Sequence, residues 1–293
     1  MPVETSISVS SQRSGYEQQI LTDAGFYWRE KDLVSVLVCK PLDDAGFVNG
    51  FSTRQGGVSD LPKDSLNLAG FDEDAAENIY ENRRRFLAAF GCEFKLATAW
   101  QVHGVDVKTV RSDEDIANTE ERFDALVSDL ANTLVGVKTA DCVPILIGDP
   151  KTGSFAAVHS GWKGTVGKIA TEAVGKLQTE FGARPGGMVC AIGPCASGEN
   201  YEVGLEVKDS FAAAFPEHET YFTPSRPGHA FLDLKLANHD LLTASGVNSS
   251  NIFTAPFCTI ERTDLFFSYR AEKKRYGKSG RLLSVIGRRN DGP

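Results

Sequence analysis

The chain reads as an α+β protein, because strand-like segments outnumber helical ones, cluster together, and show no steady β-α-β alternation. A doubly wound parallel sheet needs that alternation. The first residues, through about Asp23, are polar and rich in Ser and Gln, and predict a flexible tail. Residues 24–293 are expected to form one domain, since no low-complexity linker divides them and no tandem repeat is apparent.

The elements follow in order. D-L-V-S-V-L-V-C, Asp32 to Cys39, is β-rich and predicts a first core strand with Cys39 buried. G-F-V-N-G-F-S-T-R-Q-G-G-V-S predicts a short strand entering a glycine-rich turn, and D-L-P-K-D-S-L-N-L-A-G a loop. From Asp74 to Phe90, Ala76, Ile79, Tyr80, Phe86, Leu87 and Phe90 recur near a 3.6-residue period, so a helix is expected that ends at Gly91. Several strands follow, up to S-F-A-A-V-H. The turn sequence Asp149-Pro150-Lys151-Thr152-Gly153 joins the last two as an antiparallel hairpin. Helices are expected over 166–181, 204–215 and 234–245, with a strand over 188–192. A-P-F-C-T, L-F-F-S-Y-R and R-L-L-S-V-I-G-R read as strand-like pieces.

Bulk properties exclude several functions. A net charge of -8 argues against a nucleic-acid partner, which needs concentrated positive charge. No apolar run approaches the ~20 residues that span a bilayer, and the N-terminus lacks the pattern of a secretory signal. The six cysteines include no C-x-x-C pair, so reduced thiols and a cytoplasmic location are expected.

Three residues carry the candidate chemistry. His103 lies in Q-V-H-G, Cys142 in T-A-D-C-V-P, and His159 in A-A-V-H-S-G-W-K-G-T. If Cys142 opens one hairpin strand and His159 ends its partner, the turn brings both to one end of the sheet. His103 follows strand-like W-Q-V in an equivalent setting. Two imidazoles and a thiolate suit a zinc site with one open vertex, the trigonal core of a copper site, or a Cys-His dyad with Cys142 as nucleophile. Asp141 adjoins Cys142 and is a candidate orienting group or proton carrier. Lys163, ahead of a helix, and Arg54, beside a glycine-rich turn, suggest an anion pocket near the metal.

In order along the chain stand G-F-S-T-R-Q-G-G-V-S, S-L-N-L, E-N-R, Q-V-H-G, D-A-L-V-S, T-A-D-C-V-P-I-L, A-A-V-H-S-G-W-K-G-T, I-G-P-C, Y-E-V-G, C-T and F-F-S-Y-R. From about Phe47 to Gly287 this resembles the laccase-domain family, whose members are labelled polyphenol oxidase, purine nucleoside phosphorylase or, in bacteria, peptidoglycan-editing factor. The resemblance implies an α-β-β-α sandwich with mixed or antiparallel sheets, related to the catalytic fold of a cytotoxic necrotizing toxin. It implies zinc on His103, Cys142 and His159, with copper a lesser fit. It further implies phosphorolysis of adenosine, inosine or methylthioadenosine to base and sugar 1-phosphate, with adenosine deamination alongside. Purine nucleoside and phosphate are then the partners, and Asn67 of S-L-N-L joins Arg54 and Lys163 as a candidate substrate or phosphate contact. Lys163 stands where the family often has Arg, losing the bidentate fork.

Other functions compete with this one. Once His103 and His159 are used, three histidines remain of five, too few for a multicopper cluster, and neither Met1 nor Met188 lies in a ligand-like motif. A Cys142–His159 hydrolase acting on a peptidoglycan precursor would be inhibited by zinc. A metal-stabilised binding module would turn over no small molecule.

Overall fold

The computed structural model describes residues 15–61, 64–69, 74–91 and 94–290. Two six-stranded sheets organise the molecule. In the first, the strand order is Phe26–Lys31, Val34–Cys39, Phe47–Ser52, Leu282–Arg288, Thr133–Thr139 and Lys95–Ala97. In the second it is Ile252–Thr254, Val189–Ile192, Val143–Asp149, Ser154–Ser160, Ala125–Ser128 and Val107–Val110. Most pairs are antiparallel. Three at or near the edges are parallel, among them Val107–Val110 on Ala125–Ser128.

Alternation along the strands explains the stacking. In Val143–Asp149, Ile145 and Ile147 face one apolar cluster and Leu146 another, and in Ser154–Ser160 Ala156 and Val158 oppose Phe155 and Ala157 in the same way. Both faces of these strands are buried, which is why they read as continuous apolar runs rather than alternating ones. The cluster between the sheets joins Leu37, Phe51, Val135 and Ile286 to Leu146, Phe155 and Ala191. Outside the first sheet, Phe86 and Phe90 of the Ala76–Ala88 region pack on Val36, Leu134 and Val285. Outside the second, helices Ile169–Phe181 and Leu234–Ala244 cover Ile145, Val158 and Ile192. The layers therefore run helix, sheet, sheet, helix, and the fold is mixed α+β. A three-stranded sheet, Glu202–Gly204, His229–Leu232 and Phe222–Pro224, flanks this sandwich.

Several expectations change. The predicted tail ends earlier, because Gly15–Asp23 is a helix whose Leu21 is fully buried; the earlier part of the predicted tail and Cys92 lie outside the described residues. Tyr80, counted in the core face, is 64 % exposed, and Asn82 takes an inward position to bond Ser59 Oγ and the Asn67 carbonyl. The helix expected over 166–181 is two, Trp162–Val166 and Ile169–Phe181, divided at Lys168, whose φ of 64° breaks the helix. F-F-S-Y-R is not a strand. Ser268 there caps helix Tyr269–Tyr276 by accepting from the Ala271 amide.

Candidate active site

The predicted hairpin forms, and its register sets the site. Ser154–Ser160 pairs antiparallel with Val143–Asp149, so His159 lies opposite Pro144 and Ser160 opposite Val143. Cys142 therefore enters one strand at the end where His159 leaves the other. Asp141, just before it, has φ of 91°, and this left-handed step turns the chain out of strand Thr133–Thr139 toward Cys142. His103 comes from the irregular loop after Trp100 and is also left-handed, with φ of 60°.

The three candidate ligands converge. One donor atom from each of His103, Cys142 and His159 lies within 4.8 Å of the others. Cys142 Sγ is 3.8 Å from His103 Nε2, and the two imidazole rings meet edge to face at 4.8 Å between centroids. Gly161 makes the space: a Cβ there would stand 3.0 Å from both Cys142 Sγ and His103 Cδ2.

Asp124 holds this arrangement, and the sequence reading missed it. Its Oδ1 lies 2.7 Å from His159 Nδ1, and its carboxylate accepts from the amides of Val102, His103 and Gly104 at 3.2, 2.9 and 2.6 Å. Three successive N–H groups closing on one carboxylate form an anion nest. A left-handed non-glycine residue costs roughly 1–2 kcal/mol, and hydrogen bonds to a charged group return about 1.5–3 kcal/mol each, so the His103 turn is held. On the other side, the Nδ1 contact leaves Nε2 of His159 available to ligate a metal, the arrangement usual for a histidine backed by a carboxylate. The available signal was an acid opening the buried run A-L-V-S, but the link to His159 runs through the pairing of Ala125 with Val158.

Electrostatics follow from these contacts. Burial pushes the Cys142 thiol up, but the charge on His159 and hydrogen bonds from both imidazoles outweigh it, setting the thiol at about 6. Burial pulls the His159 imidazole down, but the Cys142 thiolate and Asp124 raise it to about 9. Between those values the pair is thiolate and imidazolium. Burial alone would raise the Asp124 carboxyl, yet His159 and the Gly104 and Val102 amides hold it low. The donor set fits a borderline-soft divalent cation, which replaces the imidazolium proton as counter-charge to the thiolate.

The remaining predicted site residues lie apart from this cluster. Asp141 is buried with Oδ1 accepting from Thr259 Oγ1 and Oδ2 from the Arg270 amide, both at 2.7 Å, so its oxygens hold the fold together rather than face the cluster. Arg54 is buried, 2.6 Å from Glu272 and stacked 4.5 Å from the Phe267 ring centre, beside a separate cavity. Asn67 is fully buried, its Oδ1 accepting from the amides of Ala69 and Arg281. Lys163 is exposed, with its ammonium 5.6 Å from the centre of the Trp162 ring. The anion pocket that Arg54, Asn67 and Lys163 suggested is therefore not assembled from them. The cluster instead opens on a cleft of ≈ 860 Å³ whose lining includes Arg83, Trp100, Gln101, Lys138, Tyr269 and Arg281.

Among the described residues, no other group of three or more His, Cys, Asp or Glu side chains is placed to hold a metal ion, and His218, His229 and His239 lie outside the cluster. No helix among them is long and apolar enough to cross a membrane. The family model described as multi-copper polyphenol oxidoreductase laccase matches residues 48–289. The chain is similar to "Purine nucleoside phosphorylase YlmD" of Geobacillus stearothermophilus, 37% identical over 87% of this chain and 95% of that one. It is likewise similar to "Purine nucleoside phosphorylase" of Deinococcus radiodurans, 38% identical over 82% of this chain and 88% of the other. A crystal structure of YlmD from Geobacillus stearothermophilus matches with a TM-score of 0.82 at 35% identity, covering 91% of this chain and 99% of that chain. Matched over most of its length in sequence and fold, the chain belongs to the multi-copper polyphenol oxidoreductase laccase family.

Proposed function

We propose that the protein is a metal-dependent purine nucleoside phosphorylase that takes zinc at His103, Cys142 and His159. The observation carrying this reading is the convergence of those three donors on one cleft, in a chain 37–38% identical to proteins named purine nucleoside phosphorylase. A cleft of ≈ 860 Å³ is in the range that takes ligands the size of a nucleoside with phosphate. Zinc held by His103, Cys142 and His159 would supply Lewis acidity to the cleft.

The chain's own residues supply the rest. Asp124 holds His159 and the His103 turn, so the ligand face needs little rearrangement. Trp100 and Tyr269, 47 % and 42 % exposed at the cleft, offer aromatic faces for a purine. In the reaction an oxygen of phosphate bonds to C1′ of the sugar as the bond from C1′ to N9 breaks. That bond's electron pair passes to the purine, which takes up a proton. The products are the free base and sugar 1-phosphate. We read the chain as a single catalytic domain and place it in the cytoplasm, where its five described cysteines suit a reducing compartment as free thiols.

A second reading has its own support. Cys142 at about 6, beside an imidazole fixed by a carboxylate, is also the arrangement of a cysteine hydrolase, which is what a kinship to the toxin fold would imply. Metal analysis followed by inosine and adenosine assays, with and without phosphate and before and after chelation, separates the two. The phosphorylase reading expects sugar 1-phosphate that requires both phosphate and metal. Inosine formed from adenosine would mark the accompanying deamination. Activity on peptidoglycan fragments that chelation stimulates, with no nucleoside cleavage, would establish the hydrolase instead.

A further inference from the structure

We infer that Gln101 is a positioning residue whose side-chain amide staples the His103 loop to strand Thr133–Thr139 and so sets where that ligand stands; the inference rests on the zinc reading of the cluster. Gln101 Nε2 donates to the Lys138 carbonyl and Gln101 Oε1 accepts from the Lys138 amide, both at 2.7 Å. The course of the chain explains why a side chain does this. Strand Lys95–Ala97 runs parallel to residues 133–135, and that pairing ends at Ala97. The main chain then turns toward another segment: the Trp100 amide donates to the Glu121 carbonyl, and the Trp100 carbonyl accepts from the Phe123 amide. Gln101 meets Lys138 farther along the same strand, whose other edge is taken by Leu282–Arg288. A primary amide carries a donor and an acceptor side by side, so it pairs with main chain as a residue of an adjacent strand does.

The staple lies beside the ligands. Only Val102 separates Gln101 from His103, and only Thr139, Ala140 and Asp141 separate Lys138 from Cys142. Thr98, Gln101 and His103 line the cleft from one of these segments and Lys138, Thr139 and Cys142 from the other, so the same two bonds hold two of its walls together. Past Gln101 the second anchor is Asp124, which accepts from the amides of Val102, His103 and Gly104 and leads into strand Ala125–Ser128 of the other sheet. His103 is thus held between one anchor on each sheet. Apolar packing contributes little here, since Val102 and Val105 are 43 % and 37 % exposed. The left-handed His103 backbone, with φ of 60°, itself favours release. Hydrogen bonds are therefore what keep this loop in one place. Without those of Gln101, fewer molecules hold His103 Nε2 at its 3.8 Å from Cys142 Sγ, and apparent metal affinity falls by that fraction.

The test uses the full-length chain, with zinc affinity read by competition against a chromophoric chelator and ligand geometry read from the absorption bands of the cobalt(II) complex. Gln101→Met keeps the length and loses both bonds; Gln101→Glu keeps the acceptor and loses the donor. Both are expected to bind zinc about tenfold more weakly, the scale of losing ordinary hydrogen bonds, and to shift the cobalt bands. Gly148→Ala, a core substitution far from the loop in sequence, is the control: it lowers the melting temperature but keeps wild-type affinity and bands. A measurement on metal-free wild type needs no variant. The Lys138 amide should be protected from hydrogen exchange like a strand amide, and exchange at the rate of an open loop would mean that the staple does not form. Unchanged zinc affinity in a folded Gln101 variant, or an equal loss in Gly148→Ala, would overturn the inference. So would a raised KM for inosine with zinc affinity intact, which would make Gln101 a substrate contact. In each of these cases zinc binding and inosine phosphorolysis by wild type are unaffected, and the metal and phosphorylase readings stand. If wild type takes up no zinc, the zinc reading and this inference fail together.

Discussion

Asp124 joins His159 to the His103 turn through one carboxylate, and its substitution should therefore be felt by the metal first. Asp124→Asn is expected to weaken metal affinity about 10–100-fold, as loss of a partner behind a ligand generally does. Competition against a chromophoric chelator measures this, and unchanged affinity would show that the nest alone positions the ligands. Cys142 carries a second expectation. With its thiol at about 6, metal-free protein should be alkylated by iodoacetamide at neutral pH, the rate falling roughly tenfold per unit once pH drops below about 5. Cys39 and Cys195, pushed by burial to about 12, should stay unmodified in the folded protein. Peptide mapping after labelling, with and without added zinc, shows whether the metal protects Cys142. Arg54 is a third case. Breaking its buried pair with Glu272 by Arg54→Ala should cost about 3–5 kcal/mol of stability, seen in denaturant unfolding. An unchanged midpoint would contradict a structural role for that pair.

The hairpin Val143–Asp149 and Ser154–Ser160 is the element that makes the site, and its tolerance is narrow at both ends. Near the ligands, Gly161→Ala places a methyl 3.0 Å from Cys142 Sγ and His103 Cδ2, so metal affinity should fall while thermal stability changes little. In the middle of the hairpin, a Cβ at Gly148 would meet ring carbons of Phe47 at 2.5 Å, across the space between the sheets. Gly148→Ala is accordingly expected to cost about 1–3 kcal/mol by overpacking, with metal binding retained in whatever folds. Calorimetric melting paired with metal titration distinguishes the two. The same stability loss from both substitutions would mean the ligand end is packed no differently from the core.

For the whole molecule, a metal held by this cluster would link binding to folding, because its donors come from a loop and from the two strands of a hairpin that only the folded chain unites. Binding to the native state alone adds about 2.7 kcal/mol when free metal is 100 times its Kd. Chelation should lower Tm accordingly, and excess zinc should restore it. A Tm indifferent to chelator would place the metal outside the folded core's ligands.

Much of this was legible in the chain. Apolar period, turn residues and strand length are local properties, so the hairpin, the buried Cys39 and the convergence of Cys142 with His159 follow from residues close together in sequence. The motif order likewise marks the family from the sequence alone. Long-range register is different. Asp124 reaches His159 because Ala125 pairs with Val158, and the Asn67 side chain accepts from the amide of Arg281, 214 positions away. Arg54 and Lys163 looked like anion ligands because charge beside glycine is a local cue, whereas burial against Glu272 and exposure over Trp162 are set by packing. Local chemistry thus selected which residues could bind a metal; the pairing of distant strands decided what stands behind them and which side chains line the cleft they share.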